Sequence, residues 1–192
     1  GFHHGLLDLA PGHGKGNTTM ITHERQQLRE TTRTVTLPSL RKVIWLMPAA
    51  YALHIIEEYA GNFPGWVSNR VHGQFSDKGF ALNNLAFMLI LLTLVYTTFR
   101  KSTPLRAALL VAFASANLFW DALFHLFMTP ILGAYSPGLV TAMLLYYPIC
   151  LLVGTVIIKE RALEPLQFVG VLLGGLVLFA LVVWYGLFHF AL

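Results

Sequence analysis

The stretch VIWLMPAAYALHIIEEYA, residues 43–60, decides the fold. It reads as one apolar run, yet near its far end it carries His54, Glu57 and Glu58. Crossing about 30 Å of hydrocarbon takes roughly 20 apolar residues, and such a run in lipid must be helical because no water satisfies its backbone. Four more apolar segments follow at 80–99, 105–128, 138–158 and 166–190. The sequence therefore predicts an all-α, polytopic membrane protein, a bundle of five transmembrane helices within residues 41–192. Residues 1–40 read as a polar tail, in which Arg25, Arg29 and Arg33 are spaced as on a basic surface helix.

The composition points the same way. Of 192 residues, 56% are hydrophobic and only 11% charged, and the mean hydropathy is +0.63. A soluble domain carries about 25% charged residues, so an ordinary soluble enzyme is excluded, as is a disordered chain. The net charge of +4 lies between apolar runs rather than on one patch, which argues against nucleic acid as a partner. A lone cysteine, Cys150, excludes an internal disulfide and a cysteine-based zinc site.

Basic residues set the expected orientation. Arg41 and Lys42 precede the first segment, Arg100, Lys101 and Arg106 fill the second connection, and Lys159 and Arg161 the fourth. The first connection has only Arg70 and Lys78, and the third has none. Basic residues concentrate on cytoplasmic loops, so the alternation predicts a cytoplasmic N-terminus and an outside C-terminus.

Ionisable side chains within a span are functional candidates by default. His54 and Glu58 lie one turn apart, with Glu57 beside them, and Asn117, Asp121 and His125 form a second stripe at four-residue spacing. At 1.5 Å per residue, Glu57 lies about 21 Å and Asp121 about 22 Å from the cytoplasmic boundary. Asn83 and Asn84 reach a similar level from the opposite side, so three helices converge on one height. The loop with Asn62, Pro64, Trp66 and His72 is placed to lie over that cluster as a lid. Trp184, Tyr185 and His189 end the last segment, the first two as an aromatic belt. Two plainer readings stand beside this one: the glutamates reach the interface, and the Asn117–Asp121 stripe bonds helix to helix. Tyr146 and Tyr147, before Pro148, line a pocket or pack at a kink. Gly170 and Gly174 form a GxxxG pair suited to close helix packing, and so to a homo-oligomer through that face.

The string His54-Ile55-Ile56-Glu57-Glu58 at the outer end of the first span resembles the HXXEE-domain family of prokaryotic integral membrane proteins. That resemblance carries over His54, Glu57 and Glu58, implies a similar body from about Arg41 onward, and implies a multi-pass protein of a prokaryotic cytoplasmic membrane. The His54–Glu58 spacing is also similar to that of the five-helix sterol isomerase and emopamil-binding group, at the level of chemistry alone.

Three chemistries are open to the cluster. In the first, His54, Glu58, Asp121 and His125 hold a divalent metal such as zinc, iron or manganese, as facing helices of bundles do. Glu57 is then the general base for a bound water, or a partner that orients a histidine. Glu57, Asn84 and Asn117 are the candidate catalytic residues of a hydrolase or isomerase acting on a lipid-like substrate taken from the membrane lipids. In the second, a neutral carboxylic acid beside His54 and Asp121 protonates an alkene, without a metal, as in an isomerase or cyclase. In the third, the stripe serves a transporter, a proton relay or a membrane-complex subunit.

Overall fold

In the computed structural model, residues 38–188 are described, and every regular element among them is helical. The tail read as a basic surface helix lies outside the described residues, as does His189. The chain runs through α1 (Leu40–Val43), α2 (Leu46–Ala60), α3 (Phe63–Trp66) and a π-type turn over Val67–Val71. Four long helices follow: α4 (Asp77–Arg100), α5 (Pro104–Leu132), α6 (Leu139–Lys159) and α7 (Pro165–Phe188), each long and apolar enough to cross a membrane.

The first expected span differs from the other four. It breaks at Ile44–Trp45 into α1 and the 15-residue α2. Pro48 accounts for the break: it has no N–H to offer Ile44, four residues back, and its ring crowds that carbonyl. A second proline acts similarly in α6, where Pro148 cannot bond to Leu144 and the helix widens into a π-type turn over Ala142–Tyr146. A third such turn, Ser115–Trp120, interrupts α5 just before Asp121.

Local signals fix the helix ends. Ser76 Oγ accepts from Gly79 N at 3.0 Å to start α4, and Thr103 Oγ1 accepts from Arg106 N at 3.3 Å ahead of α5, with Pro104 in the first turn. Arg106 Nη1 donates to the carbonyls of Thr97 and Lys101, closing the end of α4. Between helices, Leu40 N donates to Glu160 Oε1 at 2.8 Å, tying α1 to the end of α6. Trp120 Nε1 donates to the Leu172 carbonyl at 2.9 Å, tying α5 to α7.

The connection after α2 folds back over the helix ends. Asn62, in the left-handed region, accepts from Gly65 N, and Phe63, Trp66 and Phe75 pack with Phe80 and Leu187 into one buried apolar cluster. Gln74 N donates to the Leu187 carbonyl at 2.6 Å, so this loop is fastened to the last turns of α7. His72, which the sequence placed in the lid, is exposed, whereas Phe75 is buried. Burying such aromatic side chains stabilises by roughly 1.5–3 kcal/mol each.

Candidate functional site

The residues from α2 and α5 that the sequence singled out meet inside the bundle. His54 and Glu58 lie one turn apart on α2, and Asp121 and His125 one turn apart on α5. His54, Glu58 and His125 are buried and Asp121 is partly so. His54 Nε2 is 3.6 Å from Glu58 Oε1 and 3.3 Å from Asp121 Oδ2. His125 Nε2 is 3.6 Å from each of the same two oxygens.

Neither Nε2 has a hydrogen-bond partner, although both are buried. Groups of this kind are nearly always satisfied, so these two nitrogens need an explanation. The opposite ring nitrogens supply half of it. His54 Nδ1 is 2.9 Å from Thr141 Oγ1, and that hydroxyl has Glu57 Oε2 at 2.5 Å and the Gly138 carbonyl at 3.2 Å. Both are acceptors only, so the threonine proton goes to one of them and His54 Nδ1–H donates to the threonine oxygen. With His54 neutral, this leaves the Nε2 lone pair facing two carboxylates, as the lone pair of a metal ligand would. His125 Nδ1 is likewise 2.8 Å from Ser136 Oγ.

The separations suit a metal. Bonds of about 2.0–2.2 Å put neighbouring ligands of a tetrahedral set about 3.3–3.6 Å apart, and Glu58 Oε1 lies 3.6 Å from the Nε2 of each histidine. His54, Glu58 and His125 each offer one ligand atom, all within 4.8 Å of one another. Two nitrogens and a carboxylate oxygen form a donor set that suits zinc, iron or manganese. A divalent ion would also neutralise the two carboxylates, which are costly to bury unpaired in an apolar bundle.

Glu57 points elsewhere, towards the α5–α6 connection. Its carboxylate accepts from Gly138 N at 3.2 Å, Val140 N at 3.1 Å and Thr141 N at 2.7 Å, and from the hydroxyls of Thr141 and Tyr135. It therefore caps the start of α6 from another helix, where a negative charge meets unpaired N–H groups. Burial and the Glu57 carboxylate push the Tyr135 phenol up to about 12, so Tyr135 remains a donor at neutral pH. Glu57 thus reaches His54 through the Thr141 hydroxyl, which contacts both.

Gly138 completes the enclosure. Its φ of +105° favours glycine, and a Cβ there would lie 2.6 Å from His54 Cε1 and 2.9 Å from His125 Cε1. Tyr146, fully buried, packs its ring on His54 with centroids 4.4 Å apart, so it supports the imidazole rather than lining the cavity.

A cavity of about 80 Å³ opens on His54, Glu58 and Asp121. Asn83, Asn84 and Asn117 line it. Tyr51 donates its hydroxyl proton to Asn84 Oδ1 at 2.7 Å, Asn84 Nδ2 donates to the Phe80 carbonyl, and Asn117 Nδ2 to the Phe113 carbonyl. Tyr51 was not among the sequence candidates, nor were Tyr135, Ser136, Gly138 and Thr141. Tyr51 had a signal, lying three residues before His54 on the same face. The others belong to the short α5–α6 connection or, for Thr141, to the first turn of α6, where spacing alone reveals no partner.

The family model described as a protein of unknown function with HXXEE motif matches residues 45–153, more than half of the chain. His54, Glu57 and Glu58 supply the named letters of that motif. No curated protein and no solved structure matches the chain at a significant level.

Proposed function

We propose a function from one premise: the chain belongs to the HXXEE-motif family. It is an integral membrane metalloenzyme whose active centre lies within the bundle and acts on a lipid-like substrate. Five segments cross the membrane, α1 and α2 together making the first, with the N-terminal side cytoplasmic and the C-terminus outside. The alternation of Lys and Arg between connections supports that topology, and a prokaryotic cytoplasmic membrane suits the family resemblance.

The observation that carries the metal reading is the pair of buried, unpartnered imidazole nitrogens facing two shared carboxylates. His54, Glu58 and His125 hold zinc, iron or manganese, and Asp121 completes the set. Such an ion supplies Lewis acidity towards a polar group of the substrate. The chain's own contribution is orientation. Glu57 and Thr141 fix the His54 tautomer, Ser136 holds His125, and Asn84 and Asn117 face the substrate from the cavity wall. The hydrocarbon around the cavity excludes bulk water, which strengthens every interaction with charge inside it.

Elemental analysis of the full chain, purified in detergent, tests this. About one zinc, iron or manganese per chain is expected, with none retained by His54→Ala or His125→Ala. Chains that fold, carry no metal and take up none on dialysis would end the metal reading. A second reading, metal-free isomerase or cyclase chemistry, draws on the cavity's aromatic wall, which includes Phe63, Phe80, Phe87 and Phe124 and suits a developing carbocation. It would gain if the purified chain held a lipid and no metal.

A further inference from the structure

The cavity at the histidines continues sideways. A second space of about 150 Å³ is lined by Phe75, Asn83, Phe87, Val182, Tyr185 and Gly186, and all but Tyr185 also line the first. Asn83 and Phe87 belong to α4, and Val182, Tyr185 and Gly186 to α7. At the helix ends the way is closed: Phe63, Phe75, Phe80 and Leu187 form the buried roof, and the loop beneath them is bonded to α7 through Gln74. Between α4 and α7 no described residue fills it. A Cβ built on Gly186 would have no neighbour within 4 Å, and Tyr185 beside it is exposed.

Among the described residues the walls of both spaces carry no Lys or Arg, so an anionic head would meet only the ion proposed above, whose charge the Glu58 and Asp121 carboxylates already balance. What they offer is phenylalanine, aliphatic side chains, three asparagines and, at the inner end, His54, Glu58 and Asp121.

We infer that the gap between α4 and α7 is a lateral portal through which a lipid with a single uncharged oxygen head, such as a long-chain alcohol, enters from the bilayer and sets its oxygen at the His54–Glu58–Asp121 end of the cavity. This rests on the metal reading above for what the oxygen meets, but the portal itself does not. The chain of the lipid lies along Phe87 and Val182, and its tail remains among the bilayer lipids. Entry from the aqueous end is barred by the aromatic roof.

The test uses the full chain in phosphatidylcholine nanodiscs, loaded with cobalt(II) as a visible reporter. Titration with 1-dodecanol is expected to shift the cobalt bands of the parent. Gly186→Trp, which fills the gap, is expected to raise the midpoint at least tenfold while the starting cobalt spectrum is retained. Leu166→Trp, on an exposed stretch of α7 away from both spaces, should behave as the parent. Dodecyl phosphate should produce no shift. A Gly186→Trp protein that responds as the parent does would overturn the portal, and an equal response to dodecyl phosphate would overturn the uncharged head. If no cobalt spectrum forms, the metal reading fails by itself. The portal is then judged by a diazirine-bearing long-chain alcohol, which should label peptides containing Phe87 or Val182 in the parent and lose that labelling in Gly186→Trp. Labelling that is spread evenly, or unchanged in the variant, refutes it. Val182→Trp repeats the comparison if Gly186→Trp does not fold.

Discussion

The bundle encloses one cavity at the His54 end and another nearer the first turns of α2 and α7, and their walls differ in kind. The second is the larger, about 320 Å³ against about 80 Å³, and is lined by residues such as Met47, Phe119, Cys150, Phe168 and Leu172. Its hydroxyls are already answered. Ser115 Oγ donates to the Ala112 carbonyl and Thr155 Oγ1 to the Leu151 carbonyl, each within its own helix. At the His54 end, by contrast, two buried nitrogens are left without partners among carboxylates. Volume alone therefore does not locate the chemistry. Polar groups held in place by a second layer, and still unanswered, do.

The strongest way to break this contrast is to crowd the histidines without touching a ligand. Gly138→Ala puts a Cβ 2.6 Å from His54 Cε1 and 2.9 Å from His125 Cε1, at a φ of +105° that an L residue rarely adopts. Strain at such a position costs about 1–3 kcal/mol, and overpacking adds about as much. Metal affinity is expected to fall by at least a hundredfold, read by competition with a chromogenic chelator, together with a clear loss of thermal stability. An unchanged affinity would mean that the two imidazoles do not share one ion.

A milder change tests the layer behind the ligands. Glu57→Gln keeps the size of the side chain but removes the charge that gathers the N–H groups of Gly138, Val140 and Thr141. Thr141→Val cuts the link between Glu57 and His54 directly. Loss of a group that orients a metal-binding histidine typically costs 10–100-fold in affinity, and both variants are expected within that range. If Thr141→Val binds metal as the parent does, the tautomer of His54 is set by something else. A Thr141→Ser chain, which retains the hydroxyl, should recover most of the loss.

The sequence made the four long helices legible to within a few residues, because hydrophobic length is a strong signal in a membrane chain. It also brought His54, Glu58, Asp121 and His125 to one level, since rise per residue and loop position are enough for depth. It did not reveal that Pro48 splits the first segment, although the proline and its partner carbonyl at Ile44 were both visible. Nor did it separate the neighbouring glutamates. Glu58 faces His54 because four residues make about one turn, whereas Glu57 is rotated by roughly 100° towards another helix. Which donors wait there depends on the α5–α6 connection and the first turn of α6, where Tyr135, Ser136, Gly138 and Thr141 carry no periodic pattern. Tertiary placement of a short loop is the information a single sequence lacks.

The smallest effect belongs to the apolar cavity, and it sharpens the contrast from the opposite side. Cys150 lines that space and not the cavity at the histidines. Cys150→Leu adds hydrocarbon to a void whose lining lacks neighbours on one side. Filling such a void commonly stabilises by about 0.5–2 kcal/mol, so a modest rise in melting temperature is expected in detergent. Metal content, and the affinity measured with the chelator, should be those of the parent. A Cys150→Leu chain that loses metal would show the two cavities to be coupled through α6, whose π-type turn at Ala142–Tyr146 lies between them in sequence and carries the tyrosine packed on His54.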